Sequence, residues 1–260
     1  MSLPNTVAAE FRKIVTLPAA IVGVVLGTAM TLVFTAMAGS SRRAKLDAGM
    51  ADDGSTYDLG LEMAAPGVVG VIVTAIVIIS SEYTATSKDA GGGRQILVSL
   101  TGTPRRGELL AAKAVVVALV SGVAGAVTIG GGLLMTQVLL GRHGHPIGEL
   151  MGVLGWRPVG AVAYWVLTAL IAFAVAVMAR SGIVPMVAFV VNTTFVSVTF
   201  LLTRVTSLAK YLPDVAGAQM FATGYPAESM VTPLTGAVVM TAWTVALLGV
   251  AAGLFVRRDA

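Results

Sequence analysis

Six long stretches of this chain are apolar all the way round a helix. Residues 14–41, 63–81, 114–141, 158–179, 181–203 and 229–256 contain no Asp, Glu, Lys or Arg, in lengths of 28, 19, 28, 22, 23 and 28 residues. A hydrocarbon core about 30 Å thick takes roughly 20 helical residues at 1.5 Å rise, and in lipid only a helix or a closed barrel satisfies its own backbone. Barrel strands would be shorter and would alternate, whereas residues 68–79 are apolar on every side apart from Thr74. The pattern predicts an all-α integral membrane protein, one transmembrane domain over residues 1–260. Its six transmembrane helices are expected at about 17–38, 64–82, 109–140, 158–179, 183–203 and 232–256.

Between these stretches the polar pattern predicts smaller features. Val7, Ala8, Phe11, Ile14 and Val15 form an approximate helical stripe with Glu10, Arg12 and Lys13 between them. That fits either a short interfacial amphipathic helix or ordinary flanking residues of the first span. Pro18 marks the first turn of that span. Residues 40–62 are acidic with three glycines and read as a solvated connection, and Arg180-Ser181-Gly182 is a turn tight enough to make the fourth and fifth spans antiparallel neighbours. Gly23-x-x-x-Gly27 and Gly249-x-x-x-Gly253 permit close helix packing without identifying a dimer face.

Composition agrees: 56% of residues are hydrophobic and 12% charged, with mean hydropathy +0.88, far from the roughly 25% charged of soluble domains. The longest gap between stretches, 82–113, is too short for a nucleotide-binding or catalytic domain of about 100 residues. The net charge of +4 lies at span ends and not along one soluble face, so it reads as topology and not as a nucleic-acid footprint. With a cytoplasmic N-terminus, ten of the 17 Lys and Arg residues fall inside and seven outside, which favours both termini in the cytoplasm. Arg42, Arg43 and Lys45 count the other way.

The absence of cysteine excludes disulfides and thiol chemistry. The long first apolar stretch is expected to be a retained span and not a signal peptide. Every charged residue lies at or beyond the end of a stretch, which disfavours proton-relay transport. Scattered Ser and Thr residues have no paired His or carboxylate within the spans, so no catalysis is expected of this chain. His143-x-His145 lacks a third ligand for a metal site. Gly91-Gly92-Gly93-Arg94 lacks the spacing and the preceding strand of a phosphate loop.

The most specific region is the connection after the second span. Ile96, Leu97 and Leu100 have helical spacing, and Gly102 breaks that helix before a new one with Thr103 as cap and Pro104 at its first position. Four separated features, Ala9-Glu10-Phe11-Arg12-Lys13, Glu82-Tyr83 through Thr103-Pro104-Arg105-Arg106 to Ala112-Lys113, Lys210-Tyr211-Leu212-Pro213 and Arg257-Arg258-Asp259-Ala260, keep their order around the six spans. In these the chain resembles the permease subunits of type-2 ATP-binding-cassette exporters, particularly small actinobacterial six-span forms. The likeness covers nearly the whole chain.

The resemblance implies a multi-pass subunit of the bacterial plasma membrane. It would pair with a second permease copy or paralogue and with separate ATPase subunits to export drugs, peptides, lipids or polysaccharides. No cofactor is expected on this chain, ATP and Mg²⁺ belonging to the partner ATPase; membrane lipid is an expected partner and nucleic acid is not. The segment Arg94 through Leu100, with Ile96 and Leu97, would be the cytoplasmic coupling helix. Family members commonly follow the Glu-Tyr with a Gly-Thr-Ile-Arg-like stretch, where this chain has a longer segment containing Gly91-Gly92-Gly93. Arg105 and Arg106 are expected either to contact the ATPase or lipid phosphate or to act as plain inner-face anchors. Glu82 and Lys113 either pair near the inner interface, or Lys113 snorkels to water. Asn192, Thr193 and Thr194 face a substrate path or hydrogen-bond between helices. The other class open to the composition is a non-transporting membrane scaffold or sensor subunit.

Overall fold

The computed structural model describes residues 3–50, 54–83, 105–194, 198–222 and 231–257, and every regular element among them is helical. The chain opens with α1, Leu3–Val15, whose last turn carries Arg12 and Lys13, where cations complement the helix dipole. Thr16 closes it by donating its hydroxyl to Lys13 O at 2.8 Å. Pro18 then starts α2, Pro18–Asp47, from an extended Leu17. At 1.5 Å per residue its 30 residues span about 45 Å. The helix therefore continues past the predicted end near residue 38, because nothing between Gly39 and Lys45 stops it before the left-handed Gly49, φ +67°.

The predicted solvated connection over 40–62 is exposed in its first part, though helical there, and is buried toward its end. Its first part is α2, and its last part is a buried 3-10 turn, Leu59–Leu61, packed against Leu133. Helix α3, Ala64–Gly67, and α4, Val69–Tyr83, complete the second membrane-length segment. Helix α5, Arg106–Leu140, starts from an extended Arg105, two residues beyond the start expected from Thr103 and Pro104. The short α6, Ile147–Leu154, leads to α7, Arg157–Ala179, which ends at Arg180 in the left-handed region at φ 50°. The tight turn predicted there brings α8, Ile183–Thr194, back against α7 and α4.

Among the described residues five segments are long and apolar enough to cross a membrane: Pro18–Asp47, Leu59–Tyr83, Arg106–His143, Arg157–Ala179 and Pro233–Arg257. The fifth predicted span, 183–203, is described in two pieces, α8 and α9, Val198–Leu202, neither long enough alone. The segment after it is partly buried. It forms a 3-10 turn, Ser207–Tyr211, and α10, Pro213–Ala218, whose Val215, Ala216 and Gly217 are buried against α7 and the first turns of α11, Pro233–Arg257.

Helix α7 and the Leu59–Tyr83 segment form the centre: 61% of each apolar stretch is buried, against 17% for α2 and 22% for α11. Trp165 on α7 is buried and donates its indole N–H to Ala64 O at 2.7 Å, tying α3 to the core. Helices α2 and α4 touch backbone to backbone through Gly23, Gly27 and Gly70. A Cβ on Gly70 would lie 2.8 Å from Gly27 Cα and 3.0 Å from Gly23 O. The first glycine pair is thus used inside the chain, while Cβ atoms on Gly249 and Gly253 of α11 would meet nothing within 4 Å.

Candidate functional site

The inward face of α1 is Thr6, Glu10 and Ile14, one residue per turn. Phe11 and Val15, placed on the predicted apolar stripe, are exposed and a carboxylate is turned in. Glu10 has a partner in Lys113, in the second turn of α5, whose Nζ donates to Glu10 Oε2 at 2.5 Å and to Glu82 Oε1 at 2.7 Å. Lys13, one turn along α1 from Glu10, donates to the same Glu82 oxygen. The side chains of Glu82 and Lys113 are each 1% exposed and that of Lys13 is 25% exposed.

Among the described residues two ammonium groups thus meet two carboxylates, the mutual pairing that lets charges be held out of water. Lys113 therefore pairs with Glu82 and does not snorkel. Glu10 and Lys13 are site residues that the sequence alone does not mark as such. The available signal was an acid spaced four residues from Ile14, with Lys13 three residues beyond it, inside an otherwise apolar stripe.

The cluster's position gives it a mechanical meaning. Tyr83 ends α4 and Arg105 immediately precedes α5, so Glu82 and Lys113 stand on the two stems of the 84–104 connection. The ion pairs join those stems to each other and to α1. A push on the connection therefore reaches three helices together, since separating any pair would expose an unpaired buried charge.

The other predicted positions divide. Arg94, Ile96, Leu97 and Leu100, with the coupling helix assigned to them, lie outside the described residues. Arg105 Nη1 donates to Glu108 Oε1 at 2.8 Å, and that bond and charge hold the guanidinium's pKa above its ordinary value. Arg106 is the first residue of α5. The polar patch of α8 also separates. Thr193 donates back to Phe189 O at 2.8 Å, within its own helix. Asn192 Nδ2 donates to Asp214 Oδ2 at 3.0 Å, and Thr199 donates to that same oxygen. Thr194 ends the helix. Asp214, at the start of α10, is not singled out by the sequence because its partners, Thr199 on α9 and Asn192 on α8, lie 15 and 22 residues away. Its Oδ1 is buried without a hydrogen-bond partner among the described residues.

At the opposite end of the bundle the two histidines go to different partners. His143 Nε2 lies 3.0 Å from Asp47 Oδ1, which also accepts from Arg142 at 2.6 Å. His145 stacks on Tyr57 with ring centroids 3.7 Å apart and places Nε2 2.8 Å from Thr56 Oγ1. Tyr57 donates its hydroxyl to Glu149 Oε1 at 2.5 Å, which raises the phenol's pKa above 10, because ionising it would set two anions against each other. Gln137 bridges the two loops, donating to Thr56 O at 3.1 Å and accepting from the His145 amide at 2.9 Å. Among the described residues no group of three or more His, Cys, Asp or Glu side chains is placed to hold a metal ion. This end reads as a latch between loops.

Compared with known proteins, the chain matches no protein-family model and no curated protein.

Proposed function

We propose that this chain is the transmembrane subunit of a type-2 ATP-binding-cassette exporter. In this reading α8 and α9 together make the fifth of six spans, both termini are cytoplasmic, and the chain sits in a bacterial plasma membrane. It pairs with a second permease, the substrate path running between the two, and separate ATPase subunits bind the 84–104 connection and carry ATP and Mg²⁺. The single observation that carries the reading is the Glu10–Lys113–Glu82–Lys13 cluster. An ATPase closing on nucleotide can move membrane helices only through a structured contact rigidly attached to them. The cluster supplies that attachment on both stems of the one connection with coupling-helix spacing. The weakly buried α2 and α11 support it too, since they leave long apolar faces for lipid and a second permease.

The test is to replace Leu97 and Leu100 together by Asp. The double variant is expected to insert normally in the membrane, lose co-purification of the ATPase and lose ATP-dependent export. Unchanged ATPase association and transport would remove the coupling role from this segment.

A further inference from the structure

We propose that the groove under α1 binds one anionic phospholipid, its phosphate held by Arg12 and an acyl chain lying between α1, α2 and α5. The proposal rests on the membrane reading alone and not on the exporter reading.

Helix α1 crosses α5 near its first three turns and leaves an apolar cavity on each side. One, of about 490 Å³, lies between α1 and α5; the other, of about 620 Å³, continues between α1, α2 and α5. Phe11 and Leu119 line both, so the two adjoin as one trough divided at these side chains. Its walls ask for hydrocarbon. The threonines in the larger part are already engaged, Thr74 donating to Gly70 O at 2.8 Å and the Thr28 hydroxyl lying 3.2 Å from that of Thr128. Among the described residues its lining carries no charged side chain and no polar one without a hydrogen bond.

The rim asks for an anion. Arg12 lines the smaller cavity and is exposed. Its neighbours in charge are already neutralised, Lys13 by Glu82 and Lys113 by Glu10 and Glu82. Among the described residues the Arg12 guanidinium has no ion-pair partner. It sits on a helix whose exposed face carries Phe11 and Val15, the composition of a helix lying at the membrane surface. A guanidinium offers phosphate oxygens a planar pair of N–H donors. An apolar trough ending at one uncompensated cation complements a molecule with an anionic head and a hydrocarbon tail, and at this level of a membrane that molecule is a phospholipid.

The chain contains no cysteine, so a single label can be placed at will. Val123, 65% exposed, lies in the trough, and Val245 on α11, equally exposed, lies away from it. The full chain carrying bimane at Val123→Cys would be reconstituted in phosphatidylcholine vesicles with increasing dibrominated phosphatidylglycerol or, separately, dibrominated phosphatidylcholine. Quenching at position 123 should favour phosphatidylglycerol by about fivefold, the scale of one basic residue acting on an anionic lipid. Bimane at Val245→Cys should show no preference. Arg12→Gln should abolish the preference at position 123, and Arg12→Lys should keep most of it. Equal quenching by the two lipids with Arg12 intact would overturn the proposal. So would a label at position 123 shielded from both, which would mean that protein, such as a second copy, covers the trough.

Discussion

Replacing Lys113 by Met tests the ionic cluster at its centre. The side chain is 1% exposed and its ammonium lies 2.5 Å from Glu10 and 2.7 Å from Glu82. Met conserves the length and removes the charge, leaving two buried carboxylates to share Lys13. Two unit charges about 3 Å apart attract by roughly 5 kcal/mol at an effective dielectric of 20. Breaking a buried pair by removing one partner costs about 3–5 kcal/mol, most of it the stranded charge. The cheapest relief is for α1 to leave with Glu10, because α1 is held by its inward face and by the short turn at Thr16. Since 1.4 kcal/mol is a factor of ten, amide exchange in residues 3–15 should accelerate by about one hundred- to several thousand-fold, with little change in α7. The double variant Lys113→Met with Glu10→Gln leaves one carboxylate opposite one ammonium, Glu82 with Lys13, and should recover at least half of the lost protection. Hydrogen exchange by mass spectrometry in detergent micelles reads both. Exchange in residues 3–15 within threefold of the unaltered chain would refute the claim that the cluster holds α1.

Three further outcomes follow from the packing. Gly70→Ala should cost about 1–3 kcal/mol as an overpacked contact, because its Cβ would lie 2.8 Å from Gly27 Cα, while Gly253→Ala on α11 should be neutral in the same thermal-melt assay. Trp165→Phe removes the donor to Ala64 O, 2.7 Å away, and leaves a buried carbonyl unpaired; a loss of about 1–3 kcal/mol is expected, read as a lowered melting temperature. The Tyr57 phenol has its pKa raised by Glu149, so its bond to that carboxylate is fully present below pH 10 and is lost as pH rises through the shifted value. Glu149→Gln should return its titration, followed as the ultraviolet difference against Tyr57→Phe, toward the ordinary phenol value.

The helical class was legible because lipid removes alternatives: non-alternating apolar stretches of 19–28 residues satisfy their backbones there only as helices. The fourth and sixth predicted spans are bounded close to where flanking charges predict, at Arg157 and Arg257. The first span does not, because residues beyond the hydrocarbon continue the helix to Asp47, and charge marks the end of burial in lipid, not the end of a helix. The buried turn at Leu59–Leu61 was hidden because Asp58, Gly60 and Glu62 read locally as loop, while the packing of Gly60 on Leu133 is a contact across 73 positions of sequence.

The candidate site was half visible for the same reason. Glu82 and Lys113 stood out as charges at the ends of apolar stretches. Glu10 carries only a weak local signal, its place in the apolar stripe of α1, because its partner is 103 residues away. Asn192 was visible as polarity inside a span, but Asp214, which gives that polarity its partner, sits in a segment that reads as an ordinary outer loop.

The central claim is that this chain couples to a separate ATPase. Its most direct test is a mild-detergent pull-down from native membranes, with co-purifying proteins identified and their stoichiometry measured. The account predicts an ATPase carrying a phosphate-loop motif, recovered in equal amount with this chain and lost when Leu97 and Leu100 are replaced by Asp. Reproducible recovery of the chain without any such ATPase would contradict it.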